Sequence, residues 1–152
     1  MTTAPAAFQS FRGRPAPSAS MKVRIYRNLN RPSLFSIVAL SGEHKGQVLG
    51  YAPVVGISDV VLKVSEKQRS GVLAKQVRTV HAFAEGNLVG LASELPEACR
   101  VSTAKVITYQ PFRAGYFFDR AAPEVPVYHE DEVWSAGSNL VAPGQKPHEV
   151  VA

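Results

Sequence analysis

Apolar and polar positions alternate along much of the chain with the period of two that marks strands. Lys22–Leu29 shows it first, with Val23 and Ile25 on one side and Lys22, Arg24 and Tyr26 on the other. Leu34–Leu40 is a compact apolar run after Arg31-Pro32, and Gln47–Ala52 follows a Gly-Glu-His-Lys-Gly loop. Asp59–Val64 is the segment richest in β-branched residues, whose shape suits a pleated surface. Thr79–Glu85 and Leu88–Leu91 flank Gly86-Asn87; both turn residues tolerate positive φ, which predicts a hairpin. Val101–Tyr109 predicts another strand, and Tyr116–Phe118 and Val125–Tyr128 two short ones. One segment has a helical period instead. Ser65 can cap a helix with Gln68 reaching back, and Val72, Leu73, Gln76 and Val77 give a one-sided face over 66–77. Gly71 inside it costs about 1 kcal/mol relative to Ala. The pattern predicts an α+β fold, mostly antiparallel β, with a small sheet or barrel-like core and one short helix.

The ends have less to bury. Residues 1–20 are rich in Pro, Ala and Ser, with only Phe8 and Phe11 as large apolar side chains, and predict a flexible basic arm. Residues 136–152 predict a second flexible tail, leaving 21–135 as a single β-rich domain. Met21 is a candidate internal start, which would make the arm optional. The arm lacks the apolar core of a secretory signal; its Arg, Ser and Ala suit an organelle transit peptide only loosely, because Pro5, Pro15 and Pro17 break any helix. The 152 residues are 45% hydrophobic and 19% charged, enough for a core without a metal or disulfide. Cys99 is the sole cysteine, so no internal disulfide exists, which suits a reducing compartment. No apolar stretch is long enough to span a bilayer, and no membrane association is expected.

Charge is sorted along the chain. Arg12, Arg14, Lys22, Arg24, Arg27 and Arg31 precede the first acid, Glu43, whereas Asp119, Glu124, Glu130, Asp131, Glu132 and Glu149 crowd the last part. The net charge is +5. Such asymmetry suits a polyanion or an acidic protein surface as partner, or self-association of the basic front with the acidic end. The predicted helix gathers a basic stripe of Lys63, Lys67, Arg69, Lys75 and Arg78, and Arg24 and Arg27 lie beside Tyr26. These side chains are the candidate contacts to nucleic acid or another partner. Tyr109, Phe112 and Phe117 are candidate aromatic contacts for stacking on bases. The competing reading is a solvated helix face, with cations that complement the helix dipole, and aromatics that belong to the core.

Catalytic signals are weak. His81, Phe83 and Glu85 fall on one face of a strand, but His81 and Glu85 would stand about 13 Å apart, too far for direct proton transfer. A hydrogen-bonded structural role suits His81 better. His129-Glu-Asp-Glu132 fits no standard zinc or calcium loop, and neither a metal nor another cofactor is expected. Asp119-Arg120 suits a turn, and Cys99 a small buried hydrophobe. There is no Gly-x-Ser-x-Gly elbow and no phosphate loop.

Arg78-Thr-Val-His-Ala-Phe-Ala-Glu-Gly86, then Tyr109-Gln-Pro-Phe112 and Phe117-Phe118, resembles a pattern in small uncharacterised proteins of tailed bacteriophages and prophages. The resemblance covers 22–134 in patches and implies a phage origin without supplying an activity. The expected function is a non-enzymatic phage accessory protein that binds a host or viral macromolecule, in the host cytoplasm or the virion. The alternatives are a basic nucleic-acid-binding module, a virion component with extended arms, and a small enzyme, for which His81, Tyr109 and Asp119 are the first residues to test.

Overall fold

The computed structural model describes residues 7–75 and 79–144. Among them the strands are β1 (Gln9–Ser10), β2 (Lys22–Arg27), β3 (Phe35–Ala39), β4 (Val48–Ala52), β5 (Val54–Val64), β6 (Ala82–Ala92), β7 (Lys105–Thr108), β8 (Phe118–Asp119), β9 (Ala122–Pro126), β10 (His129–Ala136) and β11 (Asn139–Ala142). The single α-helix among the described residues, α1 (Glu66–Lys75), lies in the connection between β5 and β6. All eleven strands form one antiparallel sheet in the order β1-β4-β3-β2-β6-β5-β10-β11-β7-β8-β9. The β-rich, antiparallel expectation stands, but the sheet is large rather than small. It is also open, with β1 and β9 as edges.

The open sheet nevertheless coils. Phe35 on β3 and Ile107 on β7 belong to one buried cluster, although six places separate their strands. A flat sheet would hold them roughly 29 Å apart at about 4.8 Å per strand. Bulges supply part of the bending. The β5–β6 register shifts between Gly56 and Ile57 and again between Ser58 and Val61, where Asp59 adopts φ 51°. The concave face carries the main core, including Val23, Ile25, Ile37, Leu49, Ile57 and Val133. Alternation turns Trp134 to the other face, where it packs with Val54, Cys99 and Val141.

Four sequence expectations change. First, Gly86-Asn87 is not a turn: β6 runs through it, Gly86 opposite Val23 and Asn87 opposite Ser58. A Cβ on Gly86 would lie 2.5 Å from the Ser58 carbonyl oxygen, so the glycine lets β5 bulge against β6. Second, 1–20 is not wholly a flexible arm. Phe8 is buried in the main core and Gln9 pairs with Tyr51, because Gly50 has no side chain to block them. Third, the tail expected from 136 contains β11, which joins β10 to β7. Core residues therefore run from Phe8 to Ala142, beyond the expected 21–135. Fourth, the strand expected over Val125–Tyr128 lies earlier, as β9 (Ala122–Pro126), and the acidic run 129–132 opens β10, which pairs with β5.

The helix starts as expected. The Gln68 amide donates to Ser65 Oγ at 3.3 Å, and the Arg69 amide to the Ser65 carbonyl at 2.8 Å. It covers little, since Val72 is its one buried residue. No helix among the described residues is long and apolar enough to cross a membrane.

Candidate functional site

Coiling leaves a gap where the two arms of the sheet approach. An apolar pocket of about 220 Å³ opens there, lined by Ile25, Phe35, Ala84, Ile107, Phe117 and Leu140, with Arg27, Thr79 and Ser138 also on its lining. His81 and Tyr109 share its wall and pair with each other. His81 Nδ1 lies 2.8 Å from the Thr79 carbonyl, which can only accept, so this nitrogen carries a proton. In the neutral ring Nε2 is then the acceptor, and the Tyr109 hydroxyl donates to it at 2.7 Å. The rings meet edge to face, 5.3 Å between centres, and Tyr109 also packs at 5.3 Å on Phe117. Burial, assisted by the Glu66 charge and opposed by Arg69, pushes the Tyr109 phenol up to about 12. It therefore stays a hydrogen-bond donor at neutral pH. Tyr109→Phe should cost about 1 kcal/mol in urea unfolding, since it leaves His81 Nε2 without its donor. An unchanged midpoint would mean that water replaces the phenol fully.

The opposite face of β6 carries a charge cluster. Arg24 donates from Nε and Nη2 to Glu85 Oε2 at 2.8 and 2.6 Å, and Lys63 Nζ to Oε1 at 2.8 Å. The guanidinium also lies 4.2 Å from the centre of the Phe83 ring. The expected shared face of Phe83 and Glu85 is thus occupied by Arg24, while His81 precedes the strand. Burial alone would raise the Glu85 pKa; the hydrogen bonds and charges of Lys63 and Arg24 outweigh it and hold the carboxyl below its ordinary value.

The sequence-predicted contacts do not converge on one surface. Arg24 and Lys63 meet at Glu85. Arg69 donates to Glu66 Oε1 and to the Pro111 carbonyl, both at 3.1 Å. Lys67 and Lys75 are exposed on α1, Arg27 lines the pocket, and Arg78 lies outside the described residues. Of the aromatics, Phe117 is core, Tyr109 lines the pocket, and Phe112 is 71% exposed. Asp119 is far in role from His81 and Tyr109: its Oδ1 accepts from the Ala121 amide at 2.9 Å and shapes the β8–β9 turn. Cys99 is buried, and burial, with the Glu132 charge, raises its thiol. Glu130 is held by Lys105, and Glu132 accepts from the Trp134 indole at 2.7 Å. Among the described residues no three His, Cys, Asp or Glu side chains form a metal-sized group. The pocket itself, and the pairing of His81 with Tyr109, had no local signal, because their partners lie on separate strands.

The family model of the Mycobacterium phage L5 gene 82 protein matches residues 16–142, from just before β2 to the end of β11. The chain belongs to that family. The gene 82 family match includes every residue named in the pocket and in the Glu85 cluster, and leaves β1 and the turn after it outside. It bears out the phage resemblance carried by the Val-His-Ala and Tyr-Gln-Pro-Phe segments. No curated protein and no solved structure matches the chain.

Proposed function

We propose that this gene 82 family member is a non-enzymatic phage accessory protein that acts in the host cytoplasm or the particle. It binds a host or viral macromolecule by taking one apolar or aromatic side chain into the pocket between the sheet arms. The pocket carries this reading: it is lined by aliphatic and aromatic groups, with one oriented His–Tyr pair to fix the direction of a polar tip. Its volume, about 220 Å³, falls below the usual range for drug-sized ligands and suits a single side chain. The Tyr109 phenol is held protonated and His81 has both ring nitrogens engaged, an arrangement suited to recognition rather than proton transfer.

p-Cresol and indole, the side-chain mimics of Tyr and Trp, test the pocket by methyl NMR. Either should shift the methyl signals of Ile25, Ile107 and Leu140. Ala82→Leu, which fills the lining from the start of β6, should abolish the shifts with little loss of stability. Silent methyls in the native protein, or equal shifts in the filled variant, would remove the pocket as the binding site.

A further inference from the structure

A second assembly stands apart from the pocket, on the edge made by β1. The Arg14 amide donates to the Phe11 carbonyl at 3.1 Å, closing a turn whose two central residues, Arg12 and Gly13, have φ of 55° and 72°. The left-handed region suits Gly13 but disfavours the side chain of Arg12. The turn places the Arg12 and Arg14 guanidinium carbons 5.0 and 5.4 Å from the centre of the Phe11 ring. Phe11 meets Tyr51 edge to face at 6.1 Å, and Arg31 lies 5.9 Å from the Tyr51 ring centre. The Arg14 guanidinium donates to the Val48 carbonyl at 2.8 Å, and Arg31 to Gln9 Oε1 at 3.1 Å. Neutral acceptors therefore position both.

Among the described residues no carboxylate neutralises this cluster. The ion pairs of the described residues belong to Arg24, Lys63, Arg69 and Lys105, and none to Arg12, Arg14 or Arg31. The contrast with Arg24 is direct: its guanidinium also covers an aromatic ring, but Glu85 answers its charge. Here three permanent cations converge on two rings, and the surface between Phe11, Arg31 and Tyr51 is concave and includes Asn30. Convergent cations without a counter-charge among the described residues call for an anion, and half-buried rings flanked by guanidinium planes suit flat, unpaired rings. An acidic peptide meets the first need and not the second; a duplex keeps its bases stacked on each other.

We propose that Phe11, Arg12, Arg14, Arg31 and Tyr51 form a binding surface for single-stranded nucleic acid. The guanidiniums take backbone phosphates, and the Phe11–Tyr51 pair supports a base. This surface is independent of the pocket and straddles the edge of the segment matched by the gene 82 family, with Phe11, Arg12 and Arg14 outside it and Arg31 and Tyr51 inside.

Fluorescence anisotropy of the full chain tests it, with labelled dT and rU oligomers of about 12 nucleotides, within the usual site size. Three phosphate contacts predict a slope of log K against log salt of about −2, at roughly 0.7 per contact. Arg12→Gly removes one guanidinium and gives the left-handed position to the residue that prefers it. It should weaken binding about fivefold, flatten the slope by roughly 0.7, and leave the thermal midpoint unchanged or higher. Phe11→Leu keeps an apolar contact with Tyr51 but loses the ring face, and should weaken binding about tenfold. Ala82→Leu and the Lys67→Ala/Lys75→Ala pair should bind as the native protein does. Absence of binding at low salt would overturn the proposal. So would full affinity in both arm variants, loss confined to the Lys67/Lys75 variant, equal affinity for a duplex, or equally good competition by polyglutamate.

Discussion

Gly86→Val should be the most damaging single substitution in the sheet, lowering stability by about 3 kcal/mol or more. Gly86 sits in β6 between β2 and β5, and a Cβ there would meet the Ser58 carbonyl oxygen at 2.5 Å and Ile57 Cβ at 3.3 Å. The carbonyl is backbone, so relief requires β5 and β6 to part where β5 already bulges at Ser58–Val61. Valine also brings branched methyls toward the concave core, which contains Ile57 and Ala84. At 2–4 °C per kcal/mol for a chain of this size, the melting midpoint should fall by roughly 6–12 °C. Differential scanning calorimetry decides the matter, and a drop of under about 2 °C would show that the two strands separate at little cost.

Glu85→Gln should lower stability at neutral pH by about 2 kcal/mol and remove much of the protein's sensitivity to acid. The carboxylate is 10% exposed and receives three charge-assisted hydrogen bonds, so the loss exceeds that of an ordinary surface pair. Its partners are more open, Arg24 at 37% and Lys63 at 50%, and solvent screening keeps the figure well below that of a fully buried triad. The sign with pH follows from the lowered folded pKa. The contribution is complete above the ordinary value, 4.5, and is lost as pH falls through the lower folded value. Native protein and variant should therefore differ most near neutrality and converge in acid. Parallel urea curves that keep the same gap through the acid range would mean that the charge on Glu85 contributes nothing.

Local pattern made the strands of the first half legible. Lys22–Leu29 alternates because β2 has one face in the core and one exposed, and Ser65 announced the helix because its hydroxyl meets an amide three residues on. Gly86-Asn87 misled for an equally physical reason: a glycine that permits a turn also permits close approach of another strand, and only the Ser58 bulge distinguishes them. The charges of 129–132 concealed β10, since Glu130 and Glu132 owe their places to Lys105 and Trp134 on the folded surface. His81 and Tyr109 were each visible as candidates. Their hydrogen bond was not, because it depends on a strand order that no local period encodes. The same holds for the arm, where Phe11 and the arginines acquire meaning only beside Tyr51 and Arg31.

The place of β10 in the sheet has a consequence for the newborn chain. β5 pairs on one side with β6, close in sequence, but on the other with β10, so that Val61 waits for His129 and Gly56 for Trp134. During synthesis β2–β6 can assemble while β5 remains an unpaired edge, and closing such distant pairs is slow. That bare edge is the segment richest in β-branched residues, a natural template for a second chain. The kink at Asp59 and the ammonium of Lys63 stand along it. Devices that look like irregularities in the finished sheet would serve, for those seconds on the ribosome, to keep neighbouring polypeptides from zipping onto it.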